Sequence, residues 1–175
     1  ETLRAEKDSC AGVVGFCIKG LPVGLGEPIY QKLDAILAHA LMSIPASKGF
    51  EIGSGFSCLS MRGATHNDTI TSAHGTSKNN HAGGLLGGIS NGDPIYGRCV
   101  FKPTSSIGKS QSTLTFDNQV ATIDHRKNHR HDPLIAIRAV AVVKAMCQLV
   151  IADAWLCHLT RNNRSIREKT HVPVT

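Results

Sequence analysis

The chain has 175 residues, the size of one ordinary domain, and we expect residues 1–175 to fold as a single domain. Hydrophobic residues make up 41% and charged residues 18%, which excludes general disorder. Lys and Arg outnumber Asp and Glu by 19 to 13, and the resulting net charge of +6 attracts anions without specifying which. Nucleic acids, acidic lipids and phosphorylated metabolites all remain open as partners.

The cysteines and the first residues bear on the compartment. Six cysteines form no C-x-x-C pair, and most lie within apolar runs, so we expect reduced, packed thiols. Residues 1–8 alternate acidic and basic groups and contain no apolar signal-peptide core. These features predict a cytoplasmic protein with no membrane partner.

The first elements follow from apolar spacing and turn residues. A strand is predicted at residues 11–19, where apolar side chains stand among small ones. A helix is predicted at 29–42, because apolar residues recur at steps of three and four after Pro28. Extended chain with a glycine bend is predicted for 49–61, and a polar surface loop for 63–80.

The middle of the chain is rich in glycine. Residues 82–92 contain five glycines in eleven positions, too many for an ordinary strand or helix, so we expect this segment to approach some other group closely. A strand is predicted at 95–101, and a hairpin from 114–116 and 120–123.

The last predicted element is the longest. A helix is predicted from Leu134 to about Leu159, with Asp132 as its N-cap and Pro133 at its first position. Its longest uncharged run is too short for a membrane span, so we expect a buried core helix. The basic tail from Arg161 is expected to fray.

Three familiar motifs fail on inspection. The sequence Gly108-Lys109-Ser110 ends like a phosphate-binding P-loop, but Pro103 stands where that motif needs glycine. Gly24-Leu25-Gly26 lacks the third glycine of a dinucleotide-binding turn. A metal site is not expected either, because Arg and Lys interleave with the three candidate zinc ligands. Those ligands are His125, His129 and His131.

Anion-binding features nevertheless converge on two segments. Lys102 directly follows a predicted strand, and the hydroxyl residues after Pro103 offer a cradle of phosphate size. The predicted helix start presents its positive end beside Arg130, with Arg138 inside the helix. A basic face with ordinary N-capping would use the same residue types, so both interpretations stay open.

A series of short segments occurs in one order along the chain. They are Asp8–Val14, Gly24–Pro28, Met42–Gly53, His66–Asp68, Asn80–Gly84, Gly87–Gly92, Phe101–Thr104, Arg130–Pro133 and Arg138–Val140. Together they resemble chorismate synthase, the flavin-dependent last enzyme of the common shikimate pathway. The resemblance covers essentially the whole chain and corresponds to the C-terminal half of the family's chain.

The resemblance implies a fold and an activity. The fold is α+β, a β-α-β sandwich with helices layered against antiparallel sheet, of which this chain is half; full-length members are homotetramers. The activity is that of a lyase in aromatic amino-acid biosynthesis, which converts 5-enolpyruvylshikimate 3-phosphate to chorismate with reduced FMN, for which NADPH is a candidate reductant. The family's N-terminal half carries catalytic histidines, so we expect this chain alone to be inactive and to self-associate through an uncovered apolar face.

The resemblance also assigns site residues. Those expected to contact FMN are Pro45, Ala46, Gly87, Asn91, Lys102, Pro103, Thr104, Ser105, Ser106 and Arg130. Arg130 and Arg138 are expected to bind the substrate, because the guanidinium fork grips phosphate or carboxylate. The expected catalytic residues are Arg130 and Asp132, the latter to handle a proton; helix capping is the alternative role for Asp132.

Some positions depart from the family pattern, and two other functions are alternatives to the enzyme. The family usually has glycine, cysteine, proline and glutamate where this chain has His129, Leu134, Ala141 and Lys144. The glutamate-to-lysine difference changes the local charge by two units. One alternative is a non-catalytic flavin- or phosphate-binding fragment. A nucleic-acid-binding module is disfavoured, because few aromatic residues stand among the basic ones.

Overall fold

A computed structural model describes residues 2–72, 77–124 and 132–169, with side chains described up to Arg161. The elements in chain order are α1 (Thr2–Ala5), β1 (Gly12–Ile18), α2 (Leu33–Met42), β2 (Ser47–Ile52), α3 (Gly63–His66), β3 (Leu85–Leu86), β4 (Ile89–Ser90), β5 (Ile95–Phe101), β6 (Gln111–Leu114), β7 (Val120–Ile123) and α4 (Ala136–Lys169). Helices α2 and α4 contact the three-stranded sheet formed by β1, β5 and β2. The predicted α+β arrangement, helices layered against antiparallel sheet, is confirmed.

The sheet sets which loops meet. Its strand order is β1-β5-β2, and both pairings are antiparallel. Phe101 at the end of β5 lies opposite Gly12 at the start of β1 and Ser47 at the start of β2. The segments before β1, before β2 and after β5 therefore gather at one end of the sheet. Strand β5 has the bounds predicted from the sequence.

The core lies between this sheet and the helices. On α2, Leu33, Leu37 and Leu41 are fully buried, one helical turn apart, as the apolar spacing predicts. From α4, Val143 and Cys147 pack into the same cluster. Burying each of these large side chains contributes about 1.5–3 kcal/mol.

Helix α2 begins later than predicted. Residues Ile29–Gln31 form a separate 3₁₀ turn, and Ile29 has a positive φ of 67° that an α-helix does not allow. The N–H of Leu33 donates to the carbonyl of Gly88 at 2.8 Å, so a distant loop supplies the partner at the helix start. Apolar periodicity could not reveal that long-range bond.

The glycine segment forms a two-residue turn between β3 and β4. Gly87 and Gly88 both have positive φ, at 60° and 85°, as hairpin turns of this length require. A Cβ atom at Gly88 would collide with the side chain of Lys32. The close approach predicted for this segment is therefore observed at Gly88.

Four other local predictions need correction. Gly55–Ser60 forms a 3₁₀ helix where extended chain was predicted, and the predicted 63–80 loop contains α3. Strand β6 ends at Leu114, where the first hairpin strand was predicted to begin. Helix α4 continues to Lys169, well past its predicted end. Each of these stretches is mostly polar or exposed, so its sequence has no regular alternation of apolar and polar residues from which the element could be predicted.

The start of α4 also differs from the prediction. The helix begins at Ala136, so Asp132 is not its N-cap and Pro133 is not its first residue. Instead, the carbonyl of Pro133 accepts the N–H of Cys10 at 2.9 Å, which ties this segment to the chain before β1. The segment before Ala136 is therefore held by a hydrogen bond to a distant part of the chain and lies outside the helix, although Asp132 and Pro133 are residue types typical of a helix start.

Helix α4 is not the buried core helix that was predicted. Its described buried residues occupy one face only: Ala136, Ala139, Val143, Cys147 and Val150. The segment Ala136–Arg161 is long and apolar enough to cross a membrane, but the core helices of soluble proteins meet the same two criteria. Only 17% of its most apolar 18-residue stretch is buried. Much of the apolar surface of α4 is therefore not covered by any other described part of the chain.

The cysteines are less uniformly packed than predicted. All six are free; Cys99 and Cys147 are buried, whereas Cys17, Cys58 and Cys157 are exposed. Burial raises the pKa of the Cys147 thiol to about 11, and the neighbouring Cys99 adds to that rise. Burial also raises the pKa of Cys99. Both buried thiols therefore resist ionisation.

We expect Cys147 to make the fold less stable in alkaline solution. The unfolded thiol ionises from about pH 9 while the native thiol stays protonated up to about pH 11, so the free energy of unfolding falls as pH rises through that window. Urea unfolding from pH 8 to 11 measures this slope, and Cys147→Ala should reduce it, while Cys99, whose pKa burial also raises, keeps part of it. Cys157→Ala, at an exposed thiol, is the matched control and should leave the slope unchanged; equal slopes in all three proteins would contradict the assignment.

Candidate functional site

The gathered end of the sheet carries the predicted anion-binding segment. Lys102 follows β5 directly, and its N–H donates to the carbonyl of Ala46 at 2.9 Å. Pro45 and Ala46 connect α2 to β2, and Ala46 holds a positive φ of 68°, unusual for a residue with a side chain. The structure thus brings Pro45, Ala46 and Lys102 together, as the site prediction requires.

Hydrogen bonds from two other segments hold the chain after Pro103. The Ser9 hydroxyl donates to the carbonyl of Thr104 at 2.8 Å. The Thr104 hydroxyl donates to the carbonyl of Asp132 at 3.3 Å. The segment before β1 and the segment before α4 therefore fix the loop that begins at Lys102.

Three polar side chains of this loop are free to bind a ligand. Lys102, Ser105 and Ser106 are exposed, and their side chains make no hydrogen bond within the part of the chain that the structure describes. The Gln111 amide donates to the carbonyl of Ser105 at 2.9 Å and steadies that turn. An ammonium and two hydroxyls on a fixed loop are suited to bind phosphate oxygens. We call Lys102–Ser106 the cradle.

Asp132 and Arg138 form an ion pair beside the cradle. The Arg138 Nε lies 2.6 Å from an Asp132 carboxylate oxygen, and the side chains are 81% and 29% exposed. Asp132 is therefore held by a cation from the first turns of α4. Arg138 remains open to solvent on its other side, where a second anion can reach it.

A further ion pair was missed by sequence reasoning. The Lys109 ammonium lies 2.5 Å from an Asp8 carboxylate oxygen, and the Ser9 N–H donates to the same carboxylate at 2.8 Å. The Lys109 bond, then the Ser9 bond, holds the pKa of Asp8 below its usual range. Lys109 belongs to the rejected P-loop pattern. Only the folded structure shows that it pairs with Asp8, the neighbour of the Ser9 whose hydroxyl holds the Thr104 carbonyl.

Not every predicted site residue lies at this end. Gly87 sits in the turn that contacts the start of α2, and Asn91 follows it, whereas the cradle adjoins the end of α2. The ten residues of α2 separate the two ends by about 15 Å. Arg130 lies outside the described residues, so its predicted roles stay predictions.

One cavity in the described chain is not lined by any residue of the cradle. It has a volume of about 670 Å³ between β1 and α4, and its lining is mostly apolar apart from Lys19, Lys144 and Gln148. The cradle itself is open to solvent. The fold and site together define an α+β protein with an open polar end that is predicted to bind anions, and with an apolar helix face that no other part of the described chain covers.

Comparison with known proteins gives the family. The sequence model of chorismate synthase matches residues 1–156. Over 158 residues the chain is 50% identical to the chorismate synthase of Protochlamydia amoebophila, covering 89% of this chain and 43% of that protein. Over 171 residues it is 46% identical to that of Saccharomyces cerevisiae, covering 95% and 45%. The chain belongs to the chorismate synthase family.

A solved structure agrees with this assignment. A crystal structure of chorismate synthase superposes with a TM-score of 0.70 at 30% sequence identity, over 90% of this chain and 40% of that one. The chain therefore spans less than half the length of the relatives it matches. The resemblance inferred from sequence motifs is confirmed, as is the fold class.

Proposed function

We propose that this chain forms the cradle-bearing part of a chorismate synthase. The whole enzyme would convert 5-enolpyruvylshikimate 3-phosphate to chorismate and phosphate with reduced FMN, as a homotetramer in the cytoplasm, with NADPH as a candidate reductant. The observation that carries this proposal is the convergence of the cradle, the Pro45–Ala46 turn and the Asp132–Arg138 pair at one end of the sheet.

The proposed chemistry is an elimination, in which phosphate leaves and a proton is removed as a double bond forms. Lys102 and the two cradle hydroxyls would bind the phosphate of FMN through charge-assisted and neutral hydrogen bonds. Arg138 would hold a second anionic group with its free guanidinium face. Asp132, a carboxylate paired with Arg138, would accept or relay the proton. Each role is one that these side chains can perform from the positions given above.

The donor groups at the cradle fit a flavin phosphate. Lys102, Ser105 and Ser106 offer donors that have no partner among the described residues, on a fixed loop, which is what a phosphate tail needs. Reduced FMN would supply transient electron donation when bound. Gly87 and Asn91 stay predictions for the flavin, Asn91 being the weaker candidate. Gly87 lies next to the start of α2, about 15 Å of helix away from the cradle.

One observation favours a second candidate function. The chain covers only 43 to 45% of two relatives' length, so the chain alone would be a flavin- or phosphate-binding part without turnover. A chimera separates the two functions: this chain replaces the matched segment of the Protochlamydia amoebophila enzyme. Chorismate formation by the chimera supports the enzyme function, whereas FMN binding without turnover supports the second.

Lys102→Ala in the chimera should weaken flavin binding at least severalfold. The substitution removes the cradle's ammonium, which has no partner in the described part of the chain and can donate a charge-assisted hydrogen bond to phosphate. Fluorescence titration of FMN gives the dissociation constant. Lys78→Ala, an exposed lysine on another loop, is the matched control and should change nothing. An unchanged titration for Lys102→Ala would remove this residue from the flavin site.

A further inference from the structure

Ser9 bonds directly to the backbone of the cradle, although it lies far from it in sequence. Its hydroxyl donates to the carbonyl of Thr104 at 2.8 Å, the usual length of a well-formed O–H···O bond. Both residues are half-buried, so water competes less for this bond than it would at an exposed site. The bond ties the middle of the cradle to the chain before β1.

Ser9 is itself held in place. Its N–H donates to an Asp8 carboxylate oxygen at 2.8 Å, and the Lys109 ammonium pairs with the same carboxylate at 2.5 Å. The N–H of Gly108 donates to the carbonyl of Lys7 at 2.9 Å. The short segment before β1 therefore binds the chain that follows the cradle as well as the cradle, and the Ser9 hydroxyl extends from a fixed base.

The residue after Ser9 reaches the segment that carries the predicted proton acceptor. The N–H of Cys10 donates to the carbonyl of Pro133 at 2.9 Å. The Thr104 hydroxyl donates to the carbonyl of Asp132 at 3.3 Å. With the Ser9 bond, these two bonds close a ring that joins three segments of the chain. Loss of the Ser9 hydroxyl would open that ring at the cradle.

The Ser9 bond also sets the direction of a backbone donor. A trans peptide is planar, so its N–H points away from its carbonyl. The carbonyl that Ser9 binds belongs to the peptide between Thr104 and Ser105, and the N–H of Ser105 therefore points away from Ser9. Among the described residues that N–H has no acceptor, and Ser105 is exposed. A backbone N–H fixed in this way can donate to an anion at the cradle.

We propose that Ser9 is a positioning residue, whose hydroxyl fixes the Thr104–Ser105 peptide so that the cradle can bind the phosphate of FMN. The Lys102 ammonium, the Ser105 N–H and the Ser106 hydroxyl can meet one phosphate group only if the backbone between them keeps one shape. The inference rests on the proposed function and adds to it a residue that acts through the cradle instead of touching the flavin.

FMN titration of the chimera tests this role. Ser9→Ala should raise the dissociation constant of FMN about fivefold, the usual effect of losing one hydrogen bond. Ser9→Thr keeps a hydroxyl and should bind FMN within about twofold of the unsubstituted chimera. Ser9→Val has the shape of threonine without the hydroxyl and should bind as weakly as Ser9→Ala. Circular dichroism verifies that each variant folds.

Riboflavin, which is FMN without its phosphate, separates positioning from a role in the fold alone. Ser9→Ala should leave the dissociation constant of riboflavin within about twofold, because the cradle is proposed to bind only the phosphate. Ser60→Ala is the matched control, since it removes a serine hydroxyl that donates to a backbone carbonyl at 2.9 Å in the 3₁₀ helix after β2. It should leave both titrations unchanged.

An unchanged FMN titration for Ser9→Ala would overturn the proposal. Equal weakening of FMN and riboflavin would also overturn it, because Ser9 would then support only the fold. Failure of the proposed function looks different, since the unsubstituted chimera would bind neither flavin. Hydrogen exchange of the cradle peptide, measured by mass spectrometry, then decides the matter without a ligand. Ser9→Ala should speed that exchange at least about threefold, and unchanged exchange would overturn the proposal.

Discussion

Asp132→Asn in the chimera is expected to lower kcat by at least about 100-fold, the usual contribution of a general acid or base. Asparagine keeps the size of the side chain but cannot take a proton. FMN binding should be retained, because the cradle donors are unaltered. Since α4 begins at Ala136, the loss would not reflect a missing helix cap. Steady-state kinetics with a parallel FMN titration measures both quantities.

The ion pair with Arg138 requires a control of its own. Asp132→Asn also weakens a contact of 2.6 Å, so Arg138→Gln must be measured beside it. If Asp132 acted only by holding Arg138, the two variants would lose equal activity and the double variant would be no worse than either. We expect Arg138→Gln to raise KM more than it lowers kcat. Full activity of Asp132→Asn would remove proton transfer from its roles.

Gly26→Ala is expected to destabilise the fold by about 3 kcal/mol. Gly26 has a φ of 106°, and a Cβ atom there would collide with the carbonyl of Gly88 and lie 3.0 Å from the Leu33 side chain. That carbonyl accepts the N–H of Leu33, so displacing it would free the start of α2. Urea unfolding at fixed protein concentration measures the change.

Gly63→Ala provides the comparison for this backbone effect. Gly63 starts α3, and a Cβ atom there would meet nothing within 4 Å. We expect its free energy of unfolding to change by no more than about 0.5 kcal/mol. If Gly26→Ala lowered the free energy of unfolding by less than about 1 kcal/mol, the β3–β4 turn would be able to move away from the added Cβ atom, and the expected collision with the Gly88 carbonyl would be wrong.

Sequence patterns located the elements whose burial alternates regularly. Strand β5 was predicted with its observed bounds because Ile95, Cys99 and Phe101 point into the core while Arg98 points out. The predicted start of α2 was wrong because the N–H of its first residue, Leu33, bonds to Gly88, which lies far along the chain. The apolar character of α4 was visible, but periodicity alone cannot tell a covered face from an uncovered one.

The site was predictable where its residues are close in sequence. Lys102 to Ser106 form one loop, so their chemistry could be read as a unit, and the resemblance added Pro45 and Ala46. The partner of Asp132 could be identified only from folded geometry. The separation of Gly87 from the cradle depends on which end of α2 each one meets, which sequence spacing does not encode.

Chorismate formation by the chimera, assayed anaerobically with reduced FMN and 5-enolpyruvylshikimate 3-phosphate, tests the central claim most directly. The claim is that this chain supplies a working cradle and proton-handling carboxylate to a chorismate synthase. We predict turnover within about tenfold of the Protochlamydia amoebophila parent, a difference of about 1.4 kcal/mol in the barrier. A chimera that folds and assembles like its parent but forms no chorismate would contradict the claim.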